Sequence, residues 1–260
     1  MSQVVSFEQV VSRLRAAGCV FAEDEARLLL EAASTAEQLA ASVASRTSGL
    51  PLEQVLGWAE FRGLRIVVEP GVFVPRRRTE FLAERAVIAA RAAGQAPLVV
   101  DLCCGTGAVG TAVAAELPHA EVHAADIDEA AVRCARRNLP GDRVHAGDLD
   151  AALPESLRGR VDVLAVNAPY VPTGRIAMMP PEARDHEPRA ALDGGTDGLA
   201  LHRRVAAAAP GLLAPGATVL IETSTEQADR TAAALTGHGL HARIRTDPEV
   251  DATVVLGTTP

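Results

Sequence analysis

The sequence predicts an α/β fold: a mostly parallel sheet of seven strands covered by helices, preceded by a small helical region. Three observations carry this. From residue 97 onward, short apolar runs alternate with stretches of helical periodicity. The first of those runs, LVVDL at 98–102, is apolar on consecutive positions, as a strand buried on both faces must be. Residues 6–47, by contrast, carry helical spacing only.

Taken in order, Ser6 can cap a first helix whose Phe7, Val10, Val11 and Leu14 share one face. A second helix fits Glu23–Ala33 and a third Thr35–Arg46. Gly49-Leu50-Pro51 interrupts, and Pro51 opens a short helix through Val55. Trp58–Glu69 alternates about Arg62-Gly63, which predicts a hairpin closed by Pro70-Gly71. A helix then runs from Thr79 to Ala93. The strands of the main sheet are 98–102, 121–126, 143–148, 161–166, 217–222, RIRT at 243–246 and ATVVLG at 252–257, the last two forming an antiparallel hairpin. Helices at 108–117, 128–139, 197–209 and 225–236 separate them. This divides the chain into a helical region at 1–56, a hairpin linker at 57–75 and a main domain at 76–260.

Composition narrows the function. All 25 basic residues are Arg, so lysine Schiff-base chemistry and a P-loop lysine are excluded. A formal net charge of −8 argues against binding to nucleic-acid phosphates. No apolar run is long enough to span a membrane, and MSQVVSFEQVVSRLRAAG has neither the cationic start nor the apolar block of a signal peptide. Cys19, Cys103, Cys104 and Cys134 lack metal-ligand spacing and read as reduced thiols, which places the chain in a cytoplasm.

The candidate site lies at the carboxyl edge of the sheet. Asp101-Leu102-Cys103-Cys104-Gly105-Thr106-Gly107 joins the first main strand to a helix, where backbone can approach a ligand and helix N–H groups point at it. It is no dinucleotide fingerprint, since its glycines fall out of that register. Asp126 ends the second strand, where a carboxylate accepts hydrogen bonds from two ribose hydroxyls, and Asp148 ends the third. Three carboxylates at successive strand ends favour an adenosyl ligand. Asp128 reads as a helix cap. After the fourth strand comes Asn167-Ala168-Pro169-Tyr170. Pro169 drives Ala168 out of the α region, so the Ala168 carbonyl and the Asn167 amide oxygen form two adjacent acceptors for an –NH₂ group. Tyr170, the single Tyr, can pack against a planar amide or base.

This combination resembles a class I S-adenosylmethionine-dependent methyltransferase, and more narrowly the HemK/PrmC family of protein-glutamine methyltransferases. NAPY stands where that family has N-P-P-Y. Pro75-Arg76-Arg77-Arg78-Thr79-Glu80 is similar to its P-R-P-[E/D]-T-E. Glu182–Pro188 and Ala191–Leu199 resemble its E-V-R-x-x-E-P and A-L-x-G-G-x-D-G-L stretches. The likeness runs from residue 49 to 257.

It implies a Rossmann-like fold and transfer of a methyl group from S-adenosylmethionine to the side-chain amide nitrogen of a glutamine in a protein. The GGQ loop of a class-1 peptide-chain release factor is the acceptor it points to. Asn167, Ala168, Pro169 and Tyr170 would act on the acceptor, and Asp101, Cys103, Cys104, Gly105, Thr106, Gly107, Asp126, Ile127, Asp148, Leu149 and Asn167 would hold the cofactor. The chain departs from the pattern at Cys103, a glycine in the family, at Arg77 and Arg78, at Ala168, and at Ala252-Thr253-Val254-Val255, which lacks the family's Arg. An N-methyltransferase acting on a nucleic-acid base or a small-molecule amine or amide is the alternative reading, and a cofactor-binding module without catalysis is another.

Overall fold

The computed structural model describes residues 6–260. Residues 1–5 of the predicted helical region lie outside it. Four helices come first: α1 (Phe7–Ala16), α2 (Ala22–Ala32), α3 (Ala36–Thr47) and α4 (Leu52–Leu56). Ser6 and Gln9 close a capping box at the start of α1, and the Thr35 hydroxyl caps α3. These helices bury Val10, Leu14, Ala26, Leu29 and Val43 against one another in a core of their own. Inside it Arg46 makes a two-pronged ion pair with Glu25, at 2.6 and 3.0 Å, with both side chains buried.

The hairpin β1 (Trp58–Phe61) and β2 (Leu64–Val67) leads into α5 (Thr79–Ala93). The main sheet then follows with β3 (Leu98–Leu102), α6 (Ala108–Glu116), β4 (Glu121–Asp126), α7 (Glu129–Ala135), β5 (Val144–Ala146), β6 (Val161–Val166), α8 (Pro181–His186), α9 (Ala200–Leu212), β7 (Leu213–Thr223), α10 (Ala228–Gly237), β8 (His241–Asp247) and β9 (Ala252–Thr258). Its order is β5-β4-β3-β6-β7-β9-β8, parallel except where β9 runs against β7 and β8. The sheet is buried on both faces. Val99, Val122, Ala124 and Val163 face α5 and α6, while Leu98, Val100, Leu102, Leu164 and Val166 face α9 and α10. That alternation explains why these strands read as unbroken apolar runs.

Several elements differ from expectation: β7 starts at Leu213 rather than 217, α10 starts at Ala228 after a short turn at Thr225–Gln227 rather than at 225, and three others depart as follows. The helix predicted at 128–139 ends at Ala135. The next residues turn so that the Asn138 amide can bond elsewhere, and Pro140 lacks a donor to continue the ladder. The helix expected at 197–209 starts at Ala200, because Gly195 and Gly198 hold positive φ and Asp197 turns back onto the Leu199 N–H. It runs on through Pro210, which lies in its last turn. The strand expected at 143–148 is only three residues long, since Gly147 leaves extended geometry at φ +149°. Among the described residues no helix is long and apolar enough to cross a membrane, and all four cysteines are free thiols.

Candidate active site

Strands β3 and β4 run side by side and in parallel, and their connections open a crevice at their carboxyl ends. A cavity of about 650 Å³ fills it, lined by the loops after β3, β4, β5 and β6 and by Glu222 near the end of β7. Every sequence-predicted site residue except Gly107 lines this cavity. Gly107 sits one turn back, in the left-handed conformation at the start of α6, where an added Cβ would press on Leu139 and Ala135.

The loop after β3 is tied down from two sides. Asp126 accepts from the Gly105 N–H at 2.9 Å and from the Asp128 N–H at 2.9 Å. Each oxygen keeps a lone pair for a further donor. Burial raises its pKa above the ordinary Asp value. Asp101 is deeper: it is 2% exposed, accepts from the Gly110 N–H at 2.8 Å, and burial lifts its pKa to about 7. Its carboxylate thus fixes the first turn of α6. Asp148 reaches Arg204 at 2.8 Å, and Leu149 packs into the core. Ile127 is 65% exposed at the cavity wall, an apolar face open to a ligand. Cys103 takes φ +59°, a conformation that glycine adopts freely, and burial pushes its thiol well above the ordinary range, which keeps it protonated. Asp128 caps α7 through the Ala130 N–H.

On the other side of the cavity, Asn167 leaves β6 and donates from Nδ2 to the Thr79 hydroxyl at 3.3 Å. Among the described residues, nothing donates to Asn167 Oδ1 or to the Ala168 carbonyl. The Tyr170 hydroxyl donates to Glu222 at 3.3 Å, and its ring tilts against His202. Burial raises the Tyr170 pKa further, so it stays neutral.

The segment after Tyr170 is pinned by the glycine-rich turn at 194–198. Val171 pairs with Leu192 and Gly194 through N–H···O bonds of 3.0 and 2.8 Å, and Gln227 donates to the Tyr170 carbonyl at 2.9 Å. A Cβ on Gly198 would run into the Tyr170 carbonyl and the Gln227 amide, so only glycine fits there. Glu187, 6% exposed, accepts from the Val74 N–H at 3.1 Å and from Arg76 at 2.6 Å, which binds the loop to the linker. His186 lies against Gly49, away from the acceptor pair. Met179 lines the cavity while Met178 is 73% exposed.

Thr79, Glu222, Asn138 and Gln227 have no site role in the sequence reading. Glu222 carried a signal: it is a lone carboxylate near the end of an apolar strand, the same criterion that picks out Asp101, Asp126 and Asp148.

The chain is similar to several known proteins. Residues 63–179 match the family described as Methyltransferase small domain. The chain is 44% identical over 188 residues to a release factor glutamine methyltransferase of Streptomyces coelicolor, covering 71% of this chain and 66% of the relative. With the release factor glutamine methyltransferase of Mycolicibacterium smegmatis it is 39% identical over 222 residues, 83% of this chain and 78% of the relative. A 4-amino-L-phenylalanine/4-methylamino-L-phenylalanine methyltransferase of Streptomyces pristinaespiralis is 38% identical over 211 residues, 78% and 72% of the two chains. Among solved structures, a 16S rRNA N2 G1207 methyltransferase of T. thermophilus aligns with TM-score 0.53 at 20% identity over 78% of this chain and 50% of that one, a likeness of fold.

Proposed function

The chain belongs to the family of release factor glutamine methyltransferases, and from that membership we propose that it methylates the side-chain amide nitrogen of a glutamine in a protein, with S-adenosylmethionine as donor. The observation that carries the reading is a pair of acceptors, Asn167 Oδ1 and the Ala168 carbonyl, that take no donor among the described residues and belong to two adjacent residues lining the cavity. A primary amide brings two N–H donors to two acceptors.

The cofactor fits the residues present. Asp126 retains lone pairs for ribose hydroxyls, Ile127 and Leu149 offer apolar surface to a base, and the loop at 103–107 brings backbone beside the cavity. When bound, S-adenosylmethionine supplies an electrophilic methyl group.

An amide nitrogen is a weak nucleophile because its lone pair is delocalised into the carbonyl. The chain therefore contributes orientation and charge stabilisation. Asn167 Oδ1 and the Ala168 carbonyl hold the two N–H bonds and so fix where the lone pair points. As the nitrogen gains positive charge, the same two oxygens stabilise it electrostatically. The excess proton would leave to solvent afterwards, since an amide nitrogen bearing a methyl group and two protons is strongly acidic.

The acceptor protein we assign is a class-1 release factor bearing its GGQ loop, and the compartment is the cytoplasm. The names of the relatives and the four free thiols support these assignments. The test is transfer of a mass-labelled methyl group to a full-length release factor, with Asn167→Ala and a glutamine-substituted loop as controls. A labelled glutamine, lost in both controls, is the expected result. Labelling of 4-amino-L-phenylalanine with none on the release factor overturns the assignment in favour of a small amine.

A further inference from the structure

We propose that Arg78 is a specificity-determining residue whose guanidinium takes a carboxylate carried by the acceptor beside the target amide. The inference rests on the acceptor reading above and narrows it to glutamines with an anionic group close by.

Three guanidiniums border the cavity, those of Arg76, Arg78 and Arg204. Two are engaged: Arg76 donates to Glu187 at 2.6 Å and Arg204 to Asp148 at 2.8 Å. The Arg78 side chain, 44% exposed, makes no hydrogen bond among the described residues. Its nearest carboxylate is Glu222, whose Oε1 lies 3.8 Å from Nε, too far for a hydrogen bond. A counterion role alone would draw the two groups into contact, as it does for the other two pairs. All five N–H donors of Arg78 therefore remain for an incoming group.

Arg78 stands at the acceptor end of the cavity. It precedes Thr79, whose hydroxyl accepts from Asn167 Nδ2 at 3.3 Å. Its neighbour Glu222 accepts from the Tyr170 hydroxyl, also at 3.3 Å. The loops after β3, β4 and β5, which the cofactor reading uses, carry Asp101, Asp126 and Asp148.

Charge says what Arg78 takes. With those three carboxylates and Glu222 in its lining, the cavity repels an anion elsewhere, and its other two cations are already paired. Glu222 attracts the Nε edge, which leaves the two Nη groups, a planar fork that matches the two oxygens of a carboxylate. The P-R-P-[E/D]-T-E pattern has an acidic residue at this position, so the charge here is reversed and a group that the pattern would repel is attracted. Consecutive Cα atoms are about 3.8 Å apart, so a cation one residue from Thr79 reaches a carboxylate on the glutamine's own α-carbon or on the residue beside it.

The experiment measures kcat/KM of the full chain on capped peptides that share Gly-Gly-Gln and differ in one charge. In one pair the glutamine is followed by Asp or by Asn; in the other it ends the peptide as a free carboxylate or as its amide. Wild type should favour the charged member of one pair by about tenfold, the worth of one charge-assisted hydrogen bond, with the gain in KM. Which pair responds tells a neighbouring side chain from the glutamine's own carboxylate. In Arg78→Gln the preference should fall to within about twofold, and in Arg78→Glu it should reverse. The Kd for S-adenosylhomocysteine should move by less than about twofold in both variants.

A wild type indifferent to charge in both pairs, or a preference that survives in Arg78→Gln, overturns the role of Arg78. So does a loss of about tenfold in S-adenosylhomocysteine affinity in Arg78→Gln, which gives the guanidinium to the cofactor's carboxylate instead. Calorimetric binding of the same peptides to the S-adenosylhomocysteine complex reads the carboxylate site without turnover. The charge preference in binding, with no methyl group on any glutamine, upholds Arg78 and overturns the acceptor reading.

Discussion

Asn138 is the most informative side chain to remove outside the acceptor pair. Its Oδ1 accepts from the Val67 N–H at 2.9 Å, and its Nδ2 donates to the Val67 carbonyl at 3.0 Å and the Thr106 carbonyl at 2.9 Å. One amide therefore stands in for a neighbouring strand along β2 and also holds the glycine loop. Asn138→Ala removes three hydrogen bonds; the Val67 N–H and the Thr106 carbonyl are left to find water, while the Val67 carbonyl keeps the Cys134 thiol at 3.3 Å. The side chain is half-buried, so water repairs part of the loss, and about 1 kcal/mol for each bond gives about 3 kcal/mol in all. For a chain of this size that corresponds to a fall in melting temperature of about 6–12 °C. Asn138→Asp should do no better, because it keeps the acceptor for Val67 N–H but turns a charged oxygen toward two carbonyls. Urea unfolding followed by circular dichroism measures both. An Ala variant within about 0.5 kcal/mol of wild type, the range of an ordinary surface change, would refute this account of the linker.

Three further outcomes follow from the geometry. Arg46→Ala strands a buried Glu25 and removes the contact with Glu182 at 2.7 Å, so the helical region should lose about 3–5 kcal/mol and residues 6–56 should exchange amide hydrogens faster, as read by mass spectrometry. Asp101 titrates at about 7 when folded and at its ordinary value when unfolded, so between pH 4 and 7 the folded state holds the extra proton and stability falls as pH rises. The gap from 3.8 is worth about 4 kcal/mol; Asp101→Asn keeps an acceptor for Gly110 and should flatten that slope, measured as the difference between urea midpoints at pH 4 and pH 8. Gly198→Ala drives a methyl into the Tyr170 carbonyl and the Gln227 amide at a position with φ +75°, and should reduce turnover more than it reduces binding of S-adenosylhomocysteine, checked by kinetics and calorimetry.

What the sequence makes legible is local chemistry. Helix α5 begins and ends where its pattern says, at Thr79 and Ala93, and the strands of the central sheet stand out because burial on both faces leaves few polar positions in them, such as Asp101 and Asp126 near their carboxyl ends. Asp126 and the loop at 103–107 were findable because strand end, glycine and carboxylate lie close in sequence. Asn138 was not, since its partners are 71 and 32 residues away and the local pattern places it in the last turn of the helix expected at 128–139. Thr79 reads as a helix start, and only the fold brings it to Asn167, 88 residues on. The displaced start of α9 has the same origin, for the turn at 194–198 is shaped by its contact with Tyr170, which no local propensity records.

Two oxygens holding one –NH₂ group are the centre of the proposed mechanism. The most direct measurement is a crystal structure of the protein with S-adenosylhomocysteine and a peptide carrying the Gly-Gly-Gln loop. It should place the glutamine amide nitrogen about 3 Å from both Asn167 Oδ1 and the Ala168 carbonyl. A bound peptide whose glutamine lies outside the cavity, or whose amide presents its oxygen to Asn167, would contradict it.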